Sequence, residues 1–163
     1  MEIDIAKDFG EHRVKPAGSE GPAFKLPDQD GNMISLNQLT SHGMALLFMY
    51  SRNGEPGVSQ ELAELNEYQA RFKKLGITPV GISQDDMETH KNYAEKNDIS
   101  LPLLADPQNK VSEAYGTHYD SGVNARVSFI VSRDQEIVRV YADQRLRSHI
   151  KEIYTNVKET LVE

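Results

Sequence analysis

The chain has 163 residues, 38% hydrophobic and 26% charged, with a net charge of -7 and no cysteine; one domain of this size buries a core without covalent staples. Its acidity, with an isoelectric point near 5.3, excludes a phosphate-tracking surface, because nucleic-acid affinity depends on concentrated Lys and Arg. No apolar run approaches the ~20 residues that a membrane span needs, and the missing cysteine removes disulfides, thiolate nucleophiles and cysteine-ligated metals together.

The N-terminus reads Met-Glu-Ile-Asp-Ile-Ala-Lys-Asp, acidic where a secretory signal needs basic residues and with no apolar segment following; a cytoplasmic location is expected. Residues 1–21 lack periodicity and close on Pro16, Gly18 and Gly21, which predicts an extended or loosely docked extension ahead of a domain over residues 22–163. Phe24-Lys25-Leu26 and Met33-Ile34-Ser35-Leu36 flank Asp28-Gln29-Asp30-Gly31-Asn32, the pattern of a β-hairpin around an Asp-Gly turn.

Met44 to Tyr50 is almost wholly apolar, as a central strand covered on both faces must be. From Ser59 to Leu75 the apolar residues Leu62, Leu65, Tyr68, Phe72 and Leu75 fall three and four apart. That spacing predicts an amphipathic helix stopped by Gly76. Ile77 to Ile82 is a second buried strand. Ser83 or Asp85 can cap a helix from about Asp86 to Lys96 with Met87, His90 and Ala94 on one face. Leu101 to Leu104 is short and extended, and a brief helix follows Pro107 and ends at Gly116. Val127 to Val131 and Glu136 to Tyr141 are strands around the Ser132–Gln135 turn, and Leu146, Ile150, Ile153, Val157 and Leu161 stripe a last helix. This order predicts an α/β domain, a mixed central sheet with helices on both faces.

The five histidines, His12, His42, His90, His118 and His149, show no i, i+4 pair, so no metal site is expected; His90 reads as a packed core histidine. No phosphate-cradling glycine loop is present and no cofactor is expected.

Several blocks in order then carry a resemblance: Gly-Pro-Ala-Phe-Lys-Leu-Pro-Asp-Gln-Asp-Gly-Asn at 21–32, Leu-Phe-Met-Tyr at 47–50, Gly-Ile-Ser-Gln-Asp at 81–85, Leu-Pro-Leu-Leu-Ala-Asp-Pro at 101–107 and Arg-Val-Ser-Phe-Ile-Val at 126–131. From about Gly21 onward the chain resembles the peroxiredoxins, the alkyl hydroperoxide reductase and thiol-specific antioxidant group, and most closely their bacterioferritin-comigratory or Q-type branch. The resemblance implies a thioredoxin-like fold and, by lineage, an antioxidant oxidoreductase. In that family a Pro-x-x-x-Thr-x-x-Cys segment opens the first long helix. The helix N-terminus and an arginine stabilise the thiolate there and polarise the peroxide.

Carried over position by position, the proline falls on Ser51, the threonine on Glu55, the cysteine on Val58 and the arginine on Arg126. A valine has no ionisable atom, so the family's peroxide reduction is excluded for this chain. With the thiolate gone, Arg126 needs another anion, and Glu55, just before the helix, is the expected partner. The expectation is therefore a cysteine-less peroxiredoxin-like binding or regulatory protein, its former peroxide pocket closed by a Glu55–Arg126 ion pair. The pocket candidates are Glu55, Gly57, Val58, Ser59 and Arg126, and the partner is a protein or a small anion. A homodimer, or a heteromer with an active homologue, is the assembly alternative. A non-thiol enzyme using Glu55, Ser59 and Arg126 is the catalytic one.

Overall fold

The computed structural model describes residues 14–142 and 149–161. A hairpin of β1 (Lys25–Pro27) and β2 (Met33–Ser35) leads through the short helix α1 (Leu36–Leu39) into β3 (Met44–Met49) and the long helix α2 (Val58–Lys74). Then come β4 (Ile77–Ser83), α3 (Met87–Asn97), β5 (Leu103–Ala105), α4 (Lys110–Tyr115), β6 (Val127–Val131), β7 (Ile137–Tyr141) and α5 (His149–Thr160). The central sheet runs β5-β4-β3-β6-β7, with β5, β4 and β3 mutually parallel, β6 antiparallel to β3 and β7 antiparallel to β6. The mixed sheet and the hairpin expected from the sequence are both present.

Period-two alternation along β3 divides the interior into two cores. Ala45, Leu47 and Met49 pack with Val127 and Phe129 on one face, where Leu36 and Tyr115 close over them. Leu46, Phe48 and Tyr50 pack with Leu62, Leu65, Ile150 and Ile153 of α2 and α5 on the other. Both faces of β3 are dry, which explains its unbroken apolar run. The outer edge of β5 is covered by a side chain. Gln29 Nε2 donates to the Leu101 carbonyl at 2.9 Å and Gln29 Oε1 accepts from Leu103 N at 2.8 Å, so the amide stands where a neighbouring peptide would.

Three details differ from the sequence reading. Leu36 belongs to a helix, not to the hairpin: Ser35 Oγ accepts from Gln38 N at 3.1 Å while Gln38 Oε1 accepts from Ser35 N at 2.8 Å, a reciprocal cap that the Ser-x-x-Gln spacing encodes. The cap of α3 is Asp86, whose carboxylate accepts from Thr89 N at 2.8 Å; Ser83 and Asp85 turn inward instead. The described part of the extension is tied down, with Gly18 N and Gly21 N donating at 2.7 Å to the carbonyls of Ile137 and Gln135. Residues 1–13, and Leu146 of the expected C-terminal stripe, lie outside the described residues.

β3 and β4 start in contact through Met44 N donating to the Gly76 carbonyl at 2.8 Å. A Cβ on Gly43 would lie 2.3 Å from that same carbonyl oxygen, and backbone cannot swing aside. Gly43→Ala is therefore expected to cost about 1–3 kcal/mol by overpacking, which at about 2–4 °C per kcal/mol for a chain this size is readable as a lowered melting temperature. An unchanged melting temperature would contradict this packing.

Candidate functional site

The register of the sheet assembles the site. Met49 stands opposite Val127 across β3 and β6, so the chain leaving β3 at Ser51 meets the chain entering β6 at Asn124 to Arg126. Ser51 is bound from both sides: its carbonyl accepts from Gln84 N at 3.1 Å and its hydroxyl accepts from Asn124 N at 3.3 Å. Between them lies a pocket of about 250 Å³ lined by Ser51, Glu55, Pro56 and Val58 on one side and Tyr119, Asn124, Ala125 and Arg126 on the other.

Four of the residues chosen from sequence, Ser51, Glu55, Val58 and Arg126, thus share one pocket. Val58 is buried as the first residue of α2 and presents an aliphatic surface to it. Gly57 lies beneath the loop against Arg126 and Ser59 is half-buried; neither lines the pocket. Gly57 has φ +85°, and a Cβ there would come within 2.8 Å of Arg126 Nη1, so the backbone turns and the guanidinium packs where a side chain would otherwise sit.

The carboxylate paired with Arg126 differs from the expected one. Arg126 Nη1 lies 2.7 Å from Oε1 of Glu61, with the guanidinium side chain 19% exposed and the carboxylate side chain 10%. Glu55 instead folds back along its own loop, where Oε1 accepts from Arg52 N at 3.0 Å. Its carbonyl accepts from Val58 N at 3.0 Å and Ser59 N at 3.4 Å. A Glu55–Arg126 pair closing the pocket is corrected on both counts: the partner is Glu61, and the pocket stays open. Glu61 sits one helical turn after Val58 and so on the same face of α2, a spacing that could have pointed to it.

Glu61 is buried, and its second oxygen, Oε2, has no hydrogen-bond partner among the described residues. Burial pushes its carboxyl up to about 7, against the lowering pull of Arg126 and with a further rise from Glu64. Only one of its two oxygens meets a donor in the pair, which is why desolvation outweighs the attraction.

A polar network beneath the loop holds it in place. Asn53 N donates to Asp85 Oδ2 at 2.8 Å, the Tyr50 hydroxyl donates to Asn53 Oδ1 at 2.6 Å, and Asn53 Nδ2 lies 2.9 Å from His90 Nδ1. An amide nitrogen only donates, so His90 Nδ1 accepts. The ring proton then sits on Nε2, facing the Leu104 carbonyl and Ser83 Oγ, each at 3.2 Å. Burial holds the imidazole below its ordinary value although Asp85 pulls the other way. The packed histidine expected from sequence is thus part of the loop's support. Among the described residues no group of three or more His, Asp or Glu could hold a metal, and no helix is long and apolar enough to cross a membrane.

The raised Glu61 carboxyl has a consequence for stability. Between the unfolded value of 4.5 and the folded value of about 7 the native state holds a proton that the unfolded chain has released, so stability falls as pH rises through that window. Glu61→Gln keeps an acceptor for Arg126 without a titrating charge. Its melting temperature is expected to decline less than the wild type's between pH 5 and 8; parallel curves would show that Glu61 carries no such linkage.

Comparisons with known proteins agree with this geometry. The profile of the AhpC/TSA family matches residues 17–140. Peroxiredoxin Bcp of Escherichia coli (strain K12) is 30% identical over 152 residues, 88% of this chain and 96% of that protein. The chloroplastic peroxiredoxin Q of Sedum lineare is 31% identical over 138 residues, 83% of this chain and 74% of its own. Among solved structures, peroxidoxin BcpB of Mycobacterium tuberculosis superposes with a TM-score of 0.80 at 25% identity, covering 90% of this chain and 97% of that one. The fold is accordingly thioredoxin-like, and the chain belongs to the AhpC/TSA family of peroxiredoxins, in its Bcp and peroxiredoxin Q branch, as a variant without cysteine.

Proposed function

We propose that this chain is a peroxiredoxin-fold binding protein. It has lost thiol peroxidase chemistry and uses the former peroxide pocket to hold a small oxyanion or carboxylate. The observation that carries the reading is the pairing of an inert Val58 with a retained, partly exposed Arg126 in one open pocket of about 250 Å³. With no sulfur nucleophile anywhere in the chain, the electrons for cleaving an O–O bond have no source of the family's kind.

What remains is recognition chemistry. The Arg126 guanidinium is of the forked kind that suits planar or tetrahedral oxyanions, and Ser51, Asn124 and Tyr119 line the same pocket. Ser59 does not line the pocket and Ser83 is buried beneath the loop, while the Ser51 hydroxyl is engaged by Asn124 N and Glu55 by Arg52 N, so a hydrolytic reading lacks a nucleophile hydrogen-bonded to a base. A bound oxyanion in this loop would serve a regulatory role by reporting on a metabolite or on a partner's carboxylate.

The expected outcome is that the purified chain turns over neither hydrogen peroxide nor organic hydroperoxides with dithiothreitol as reductant, above the reductant alone. Val58→Cys restores only slow turnover, because Glu55 places a carboxylate in the pocket and opposes a thiolate there. Glu55→Thr combined with Val58→Cys is expected to be up to ~10-fold faster, as for removal of a like charge shifting a thiol by roughly one unit. Peroxide turnover by the wild-type chain at rates typical of thiol peroxidases would falsify the loss of activity. Failure of sulfate and acetate to bind, in a titration where Arg126→Gln is the control, would remove the pocket's proposed role.

A further inference from the structure

Arg126 is shared between two sides of one wall. Toward the protein interior its Nη1 meets Glu61 Oε1 at 2.7 Å, and toward solvent the same guanidinium lines the pocket. An oxyanion entering the pocket and the Glu61 carboxylate therefore compete for one cation across a few ångströms. Glu61 has nowhere else to place a negative charge, since Oε2 is buried without a hydrogen-bond partner among the described residues.

We propose that Glu61 couples anion binding to proton uptake: an oxyanion docks on Arg126 together with one proton from solvent, which settles on the Glu61 carboxyl. This rests on the oxyanion reading of the pocket. A second negative charge beside Arg126 weakens the only attraction that favours ionised Glu61, so the bound state holds the proton more tightly than the free state, and linkage then requires affinity to rise as pH falls.

The other charges around Glu61 do not supply the same coupling. Glu64, further along α2, pushes the Glu61 carboxyl upward and so reinforces its protonation, and Glu55 from the loop lines the same pocket. Two histidines lie nearby, His149 of α5 against Ser128 Oγ at 3.1 Å and His118, whose Nδ1 lies 2.6 Å from Oδ1 of the pocket residue Asn124. A histidine contribution is therefore the competing source of a pH effect, and His118→Gln and His149→Gln are its controls. The buried carboxyl already titrates near neutrality in the free protein, at about 7, where such coupling has most effect.

The test uses the whole chain and sulfate, which does not itself titrate between pH 6 and 8.5. Calorimetric titrations in imidazole and in Tris, whose ionisation enthalpies differ, read proton uptake directly. The expected result is about half a proton taken up per sulfate between pH 7 and 8 and a roughly five- to tenfold loss of affinity from pH 6 to 8.5. Glu61→Gln is expected to abolish the uptake and hold affinity near the wild-type value at pH 6 across the range, whereas His149→Gln and His118→Gln each retain both effects. Sulfate binding without proton uptake in the wild type overturns the coupling while leaving the oxyanion pocket standing, and this measurement needs no variant to fold. Uptake that persists in Glu61→Gln assigns the proton elsewhere and also overturns it. No binding at any pH removes the pocket reading and the coupling with it.

Discussion

The site depends on one buried contact, Arg126 to Glu61, held from above by the backbone of Gly57. Taking a guanidinium most of the way out of water costs several kcal/mol unless an anion meets it, and Glu61 is the anion α2 delivers at 2.7 Å. The helix can deliver it only because α2 begins at Val58, and the turn before it requires a positive φ at Gly57. The absent Cβ leaves room for Nη1 to approach that turn. Helix start, glycine and ion pair are one device: shifting the start of α2 by a residue would rotate Glu61 by about 100° away from Arg126.

Sheet register does the rest. Antiparallel pairing of β3 with β6 brings Ser51 and Arg126, far apart in sequence, to the same end of the sheet, while parallel pairing of β3 with β4 brings Gln84 under the Ser51 carbonyl. The pocket thus sits at the carboxyl end of β3 and β4, where open α/β sheets commonly place ligands. Its loop is fastened below by a network in which neutral His90 accepts from Asn53 and Asp85 accepts from both Ser83 and the Asn53 backbone. Each buried polar group in this network has a partner, and such networks favour a single arrangement over several.

Much of this was legible in the sequence, for reasons that differ by level. The apolar run of β3 and the three-and-four spacing of α2 report burial directly, and burial is what fixes strand and helix. The pocket's position followed from the motif frame around Ser51, Glu55 and Val58 and from the block containing Arg126. The identity of the ion-pair partner did not follow, because Glu55 and Glu61 both flank the helix start and both suit its dipole. Choosing between them requires the direction in which the loop turns at Gly57, a backbone angle that residue types only permit. The turn sends Glu55 back to the Arg52 amide. Helix α1 was missed for a different reason: Ser35 and Gln38 spell a cap, but four residues are too few for periodicity to register.

The loss of a thiol leaves an electrostatic problem that the three altered positions answer unequally. A thiolate at position 58 would have been a further anion for Arg126, and Val58 supplies none, whereas Glu61 meets Nη1 at 2.7 Å. Glu55 adds a negative charge to the residues lining the pocket, with its carboxylate held by the loop at the Arg52 amide. With Glu61 ionised the three groups sum to one negative charge, and with Glu61 protonated they sum to zero. On the proposed oxyanion reading, a change of one in the charge of these three groups near neutral pH, through a buried acid, is a means of admitting an anion that a fixed ion pair would refuse. Arg126 is, on that proposed reading, the shared cation on which Glu61 and an incoming anion act in opposition.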